Sequence, residues 1–465
     1  MTAQSDSRER TEHPLIRAYR EFSPLSAQRA ERAQAVFPGG DTRSSAHYGP
    51  YPLSMEEASG CHLRDIDGHE LLDFMNNFTS LIHGHAYPPV VEAVQRQVAA
   101  GSAYAAPSMD QIELAELITQ RVPSIEQLRF TSSGTEGTQM AIRCARAATG
   151  REKIMKMEGG YHGSYELAEV SLVARPNERG PLEAPVSLPV DKSFPASVLT
   201  DTIVCPYNEP ELARALIDQH ADELAAIIVE PVLGSMGMVS ATTEFLTALR
   251  EASSQHGIVL IFDEVITLRL GIGGAQTEIG VTPDLTCMGK IIGGGLPVGG
   301  VGGCADLMQL FSPEHPEPVM HASTFSGNAL TMAAGKAAMN DFQQATLKRV
   351  NQLGERLRTG FNEVFALAGV KAMAIGRGSL SNVLFTDKTP RNARDSIQAM
   401  IDAGHVGALL HLGMLRNGVA SASRLMYCIS TPMTTTEVDT AIAAMGQAID
   451  ELKPYIEKER PNLLV

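Results

Sequence analysis

From Gln127 onward, short apolar runs alternate with stretches whose apolar residues recur at helical spacing. The runs are LRFT at 128–131, KIMKM at 153–157, AAIIVE at 225–230, IVLIF at 258–262 and LTCM at 285–288. Each is of strand length, and the pattern predicts β–α units feeding a mostly parallel sheet with helices on both faces. In sheets of that kind ligands bind beyond the carboxyl ends of the strands. The residues that follow each run are therefore the first places to look for chemistry.

The flanks read differently. Arg17 to Ala35 predicts helices, stopped by Phe37-Pro38-Gly39-Gly40. CHLRDIDGHELLDF, Cys61 to Phe74, predicts a hairpin turning at Asp67-Gly68. Val90 to Ala100 and Gln111 to Arg121 are amphipathic helices by spacing. Arg175 to Pro195, rich in proline and charge, predicts a loop. Past Asn328 come long helical patterns (Leu330 to Gln343, Leu347 to Ala368), strand-like pieces at Ser379 to Phe385 and Arg424 to Ile429, and a closing helix from Thr435 to Tyr455. The expected division is an N-terminal segment (1–75) packed on a smaller C-terminal α+β domain (331–465), with a large α/β domain (76–330) between them in sequence.

Composition narrows the function. The 465 residues suffice for a large core, with 44% apolar and 20% charged residues. A net charge of −15 argues against nucleic acid or an anionic membrane as the partner. No apolar run reaches membrane-spanning length, and the polar start MTAQSDSRERTEHP lacks the layout of a secretory signal. Six scattered cysteines read as reduced thiols of a cytoplasmic protein, with no metal-ligand spacing.

Six residues or motifs lie at the ends of the apolar runs or just before a helix. Ser132-Ser133-Gly134-Thr135-Glu136 opens a helix from Gly137 to Ala148, where free N–H groups and small hydroxyls make either a phosphate cup or an ordinary N-cap. Gly159-Gly160-Tyr161-His162-Gly163 offers a flat aromatic on a glycine-flanked turn, suited to stacking on a planar ring or to a buried Tyr-His pair. Asp263-Glu264 ends the run IVLIF; a carboxylate there needs a cation or donor, and a protonated pyridine nitrogen, a metal or a helix end would serve. Glu230 ends the preceding run in the same way. Thr324-Phe325-Ser326-Gly327-Asn328 is a second phosphate contact or cap. Lys290, between LTCM and the glycine-dense IIGGGLPVGGVGG, is either a solvated loop lysine or an amine whose partial burial lowers its pKa enough to form a Schiff base.

Taken in order, phosphate cup, aromatic, aspartate and lysine resemble the fold-type I pyridoxal-phosphate enzymes, and among them the class III aminotransferases. The likeness runs from about Phe37 to Thr435. SSGTEGTQMAIRCARAATGREKIMKMEGGYHGS and GKIIGGGLPVGGVGG are especially similar to glutamate-1-semialdehyde aminomutases and to β-amino-acid transaminases. The resemblance implies an α/β fold-type I architecture and pyridoxal 5'-phosphate as cofactor. It implies that Lys290 carries the Schiff base and shuttles the proton, and that Asp263 keeps the pyridine nitrogen protonated. Ser133, Gly134 and Thr135 would bind phosphate, Tyr161 and Val265 would cover the two ring faces, and Glu230 would lie near the ring hydroxyl. Thr324 would reach the phosphate of a neighbouring subunit in a homodimer with shared sites.

Two arginines point to the substrate. Arg43 lies in RSSAHYGPYPL, and Arg424 in ASASRL; both stretches, with DEVITLRL, look like β-phenylalanine-type aminotransferases more than aminomutases. An arginine fork grips a carboxylate bidentately, although any single arginine can equally be a structural ion pair. The resulting expectation is a ping-pong transfer from a β-amino acid or related amine to a 2-oxo acid such as 2-oxoglutarate or pyruvate. The alternatives are an intramolecular aminomutase, a transaminase of amines without a carboxylate, and a catalytically silent binding protein of this fold.

Overall fold

A computed structural model describes residues 13–465. The polar N-terminal residues 1–12, read above for a targeting signal, lie outside the described part. Seven strands form the central sheet, in the order Gln127–Thr131, Gly299–Gly303, Leu285–Gly289, Val259–Asp263, Leu224–Val229, Lys153–Met157 and Thr202–Cys205. Six run the same way; Gly299–Gly303 is antiparallel to both neighbours.

Alternation along these strands explains the layering. Met155, Met157, Ile227, Val229, Leu260 and Phe262 form one core with Phe245, Leu246 and Leu249 of the helix Thr243–His256. Ile154, Ala226, Ile228, Val259, Ile261 and Cys287 form another with Met140, Ile142 and Cys144 of the helix Gly134–Thr149. A strand covered on both faces is apolar throughout, so its sequence reads as a continuous run rather than an alternating one.

All five predicted runs are strands of this sheet, and two strands went unread. Thr202–Cys205 adds the far edge. Gly299–Gly303, part of a glycine-dense stretch that suggests a loop, is a strand instead. Its glycines have a steric cause: a Cβ on Gly299 would collide with Ser133 O, and one on Gly137 of the facing helix would come within 2.8 Å of Gly300 O. The helix rests directly on the strand's backbone.

The predicted hairpin is present as His62–Asp65 and Glu70–Asp73, with Gly68 at φ +92°. Its sheet runs Met55–Ser59, His62–Asp65, Glu70–Asp73 and Val419–Ala420, so the N-terminal strands pair with a late one. Tyr19, Tyr51, Leu53 and Leu63 pack there against Leu412 and Leu415. A separate three-stranded antiparallel sheet, Met373–Arg377, Leu380–Leu384 and Met426–Cys428, packs with the helices Gln344–Ala368, Val406–Arg416 and Thr435–Glu459 around a further core. Among the described residues no helix is long and apolar enough to cross a membrane.

Candidate active site

A cavity of about 520 Å³ opens at the carboxyl ends of the parallel strands. Its lining includes Ser133, Gly134, Thr135, Tyr161, Glu230, Asp263, Val265, Lys290 and Arg43. Nine of the eleven predicted site residues therefore converge from motifs spread over 248 positions of the chain.

Each wall follows from local structure. Strand Gln127–Thr131 leads to Ser133, which caps the helix Gly134–Thr149 by accepting from Glu136 N–H at 3.2 Å. The first-turn N–H groups have no intrahelical acceptor, and the positive end of the helix dipole adds to them. Gly134 leaves room for Val265, whose methyl carbons would lie 3.0–3.1 Å from a Cβ at that position. Strand Val259–Asp263 delivers Asp263, 5% exposed. Val265 N–H donates to its Oδ1 at 3.0 Å, and His162 Nδ1–H donates to its Oδ2 at 2.9 Å. Burial favours the neutral His162 ring and lowers its pKa, against the raising pull of Asp263; Nε2 is buried without a partner among the described residues.

Glu230, 4% exposed, accepts from Tyr161 N–H at 2.9 Å and Gly234 N–H at 3.1 Å. Burial and then the neighbouring Asp263 carboxylate push its pKa up. Strand Leu285–Gly289 ends at Lys290, which takes up φ +49°. A side-chain-bearing residue in that region costs roughly 1–3 kcal/mol and persists only where its surroundings fix it. Desolvation brings the Lys290 pKa from 10.5 down to about 8, against the raising effect of Asp263 and Glu230 and in concert with Arg424. An amine with that pKa is a usable nucleophile near neutrality.

The cavity is thus an anion cup at a helix end, a buried carboxylate, an aromatic and an aliphatic flank, and an activated amine. That donor set fits a flat heterocycle carrying a phosphate and an aldehyde. Among the described residues no cluster of three or more metal-ligating side chains exists.

The two arginines enter from outside the sheet. Arg43 is exposed and donates from Nη1 to Asn77 Oδ1 at 3.0 Å. Arg424 is half-buried, touches Met426 Sδ, and has a buried Nε without a partner; burial lowers its pKa. Neither has a carboxylate partner among the described residues. Thr324 is exposed and does not line this cavity in its own chain.

Two contributors lie outside the predicted site residues. His162 stood next to Tyr161 in its motif, but its partner lies 101 positions away. Phe78 lines the cavity from a turn in which Asn76, Asn77, Phe78 and Thr79 all have φ between +46° and +74°. The stretch has no glycine, and its adjacent asparagines, Asn76 and Asn77, are the one local hint of a left-handed turn.

The family model described as aminotransferase class-III matches residues 44–430. A β-phenylalanine transaminase of Variovorax paradoxus is 37% identical over 439 residues, covering 94% of this chain and 95% of that one. A glutamate-1-semialdehyde 2,1-aminomutase of Halorubrum lacusprofundi is 40% identical over 449 residues, covering 90% and 98%. An omega-transaminase from Sphaerobacter thermophilus superposes with a TM-score of 0.89 at 45% identity, over 94% of this chain and 99% of that one.

Proposed function

Because the chain belongs to the class-III aminotransferases, enzymes that use pyridoxal phosphate, we propose that it moves the amino group of a β-amino acid or related amine to a 2-oxo acid. A pyridoxal phosphate held in the cavity would supply an aldehyde able to react with an amine and a ring able to withdraw electrons from the adjacent carbon. The protein's own residues do the rest. Ser133, Gly134 and Thr135 hold the phosphate at the helix end. Tyr161 and Val265 confine the ring between them. Asp263, fixed by His162 and Val265 N–H, keeps a proton on the ring nitrogen. Glu230, held by two backbone N–H groups, orients the hydroxyl edge. Lys290 anchors the cofactor through Nζ and, once displaced by the donor, moves the proton at the amine-bearing carbon.

Arg43 and Arg424 serve as carboxylate anchors, one for each half of the exchange. What supports this is that neither forms an ion pair with a carboxylate among the described residues, while Arg43 lines the cavity that holds Lys290 and Arg424, which does not line it, is close enough for its charge to lower the Lys290 pKa. Unpaired cations at one site favour an anionic ligand. The test is to replace each arginine by alanine and follow both half-reactions by cofactor absorbance. Loss of affinity for one carboxylate partner in each variant is expected; full affinity for every carboxylate in both variants refutes the anchors. The relatives also include aminomutases, and glutamate 1-semialdehyde supplied without any amino donor separates the readings. Turnover under those conditions assigns the chain to intramolecular transfer.

The proposal extends to the setting. Thr324, flanked by exposed Met320 and Phe325, meets the phosphate of a second copy in a homodimer with shared sites. The cysteines are all free, in keeping with a reducing cytoplasm. No nucleic acid or membrane enters the reading.

A further inference from the structure

The left-handed turn at Asn76–Thr79 is held from several sides. Asp73 Oδ1 accepts from Met75 N–H and Asn76 N–H, both at 2.9 Å. Asn76 Nδ2 donates to Cys428 O at 2.9 Å, and Leu81 N–H donates to Asn76 O at 3.2 Å. The buried guanidinium of Arg269 donates from Nη1 to Thr79 O at 3.3 Å. Two of the four residues are asparagines, which tolerate this region; a phenylalanine and a β-branched threonine do not adopt it without such support.

What the turn delivers is one aromatic ring shared by two cations. The Arg43 guanidinium carbon lies 5.8 Å from the Phe78 ring centroid, and that of Arg424 lies 5.5 Å from it. Asn77, the preceding residue, holds Arg43 directly. The charged centres are at most about 11 Å apart, the sum of those two distances. Two arginines that approach from residues 43 and 424, neither in an ion pair with a carboxylate among the described residues, thus share one aromatic ring.

We infer that Phe78 is a positioning residue that couples the two carboxylate anchors. This rests on the anchor roles given to Arg43 and Arg424 above. The ring's negative face holds each guanidinium toward the cavity and offsets their mutual repulsion. A carboxylate gripping one arginine neutralises it and leaves the ring to the other, so the second anchor is released or engaged according to which substrate is bound.

The experiment measures binding, not turnover. Holoenzyme is titrated calorimetrically with two unreactive probes: 3-phenylpropionate, with one carboxylate, and glutarate, with two. A cation–π contact is worth roughly a 2- to 30-fold change in affinity. Phe78→Leu keeps an apolar side chain and removes the ring face, and it weakens both probes at least threefold. Phe78→Trp restores binding to within about twofold, which a purely space-filling role would not produce. The cofactor spectrum of each variant reports that the site is assembled. If Phe78→Leu binds both probes as tightly as the wild type while Arg43→Ala or Arg424→Ala weakens one, the coupling role is wrong and the anchors stand. If neither arginine variant changes either affinity, the anchor reading and the coupling fail together.

Discussion

Replacing Lys156 with methionine isolates one buried charge outside the cavity. The side chain is fully buried in strand Lys153–Met157, and its amine donates to Gly160 O at 2.9 Å and Val170 O at 2.5 Å. Gly160 precedes Tyr161 and His162 directly, and Val170 follows the short helix Glu166–Glu169 beyond them. Burial outweighs the attraction of Glu230, Glu158 and Glu169 and brings the pKa from 10.5 down to about 7. Between about 7 and 10.5 the unfolded chain therefore binds a proton that the folded chain does not. Stability from this group is complete above that window, falls as pH is lowered through it, and is lost below about 7. At about 1.36 kcal/mol per pKa unit, its change from about pH 7.5 to about pH 9.5 amounts to about 2.5 kcal/mol. Methionine does not titrate, and it leaves the two carbonyls unpaired at every pH. Unfolding entropy of about 2.1 cal/mol/K per residue gives roughly 1 kcal/mol/K for this chain. The thermal midpoint of the wild type should therefore draw away from that of Lys156→Met by about 2–3 °C between about pH 7.5 and about pH 9.5. Scanning fluorimetry of both holoenzymes at one ionic strength reads this directly. A gap that stays constant or narrows over that range refutes the burial argument.

Other expectations concern the cavity and its supports. Borohydride reduction followed by peptide mapping labels position 290 in the wild type and nothing in Lys290→Ala; label elsewhere removes the basis of the whole reading. Asp263→Asn exchanges a charged hydrogen bond for a neutral one, a loss of about 1–2 kcal/mol, so single-turnover amino transfer slows about 5- to 30-fold with phosphate binding retained. Arg394 grips Glu158 through Nε and Nη2 at 2.6 and 3.0 Å, with both side chains largely buried. Arg394→Met strands that carboxylate at a cost of about 3–5 kcal/mol, read as a midpoint lowered by about 3–5 °C.

The parallel strands were legible because burial on both faces leaves an unbroken apolar run, as in IVLIF and AAIIVE. The meeting of Asp263, Lys290, Tyr161 and Ser133 in one cavity followed, since all sit at or just past such runs. Three features were hidden for physical reasons. The glycines of Gly299–Gly303 look like a loop, and only the close approach of Ser133 to Gly299, Ile125 to Gly302 and Asp284 to Gly303 explains them. Val406–Arg416 is buried over most of its circumference, so no polar face marks its helical period. The turn at Asn76–Thr79 owes its shape to Asp73, Cys428 and Arg269, none of them within the turn. His162 shows the same limit: a residue whose task is set by a partner a hundred positions away carries no local mark of it.

The reversed strand Gly299–Gly303 has an architectural effect. It returns the chain from Lys290 to lie beneath the helix that begins at Gly134, so the amine and the anion cup are braced by one shared slab of backbone. Arg43 and Arg424 are rooted elsewhere, one in the N-terminal segment and one in a late loop. The lysine and the anion cup on one side and the two arginines on the other are separately hung, so the loops that carry the arginines can change without touching the slab.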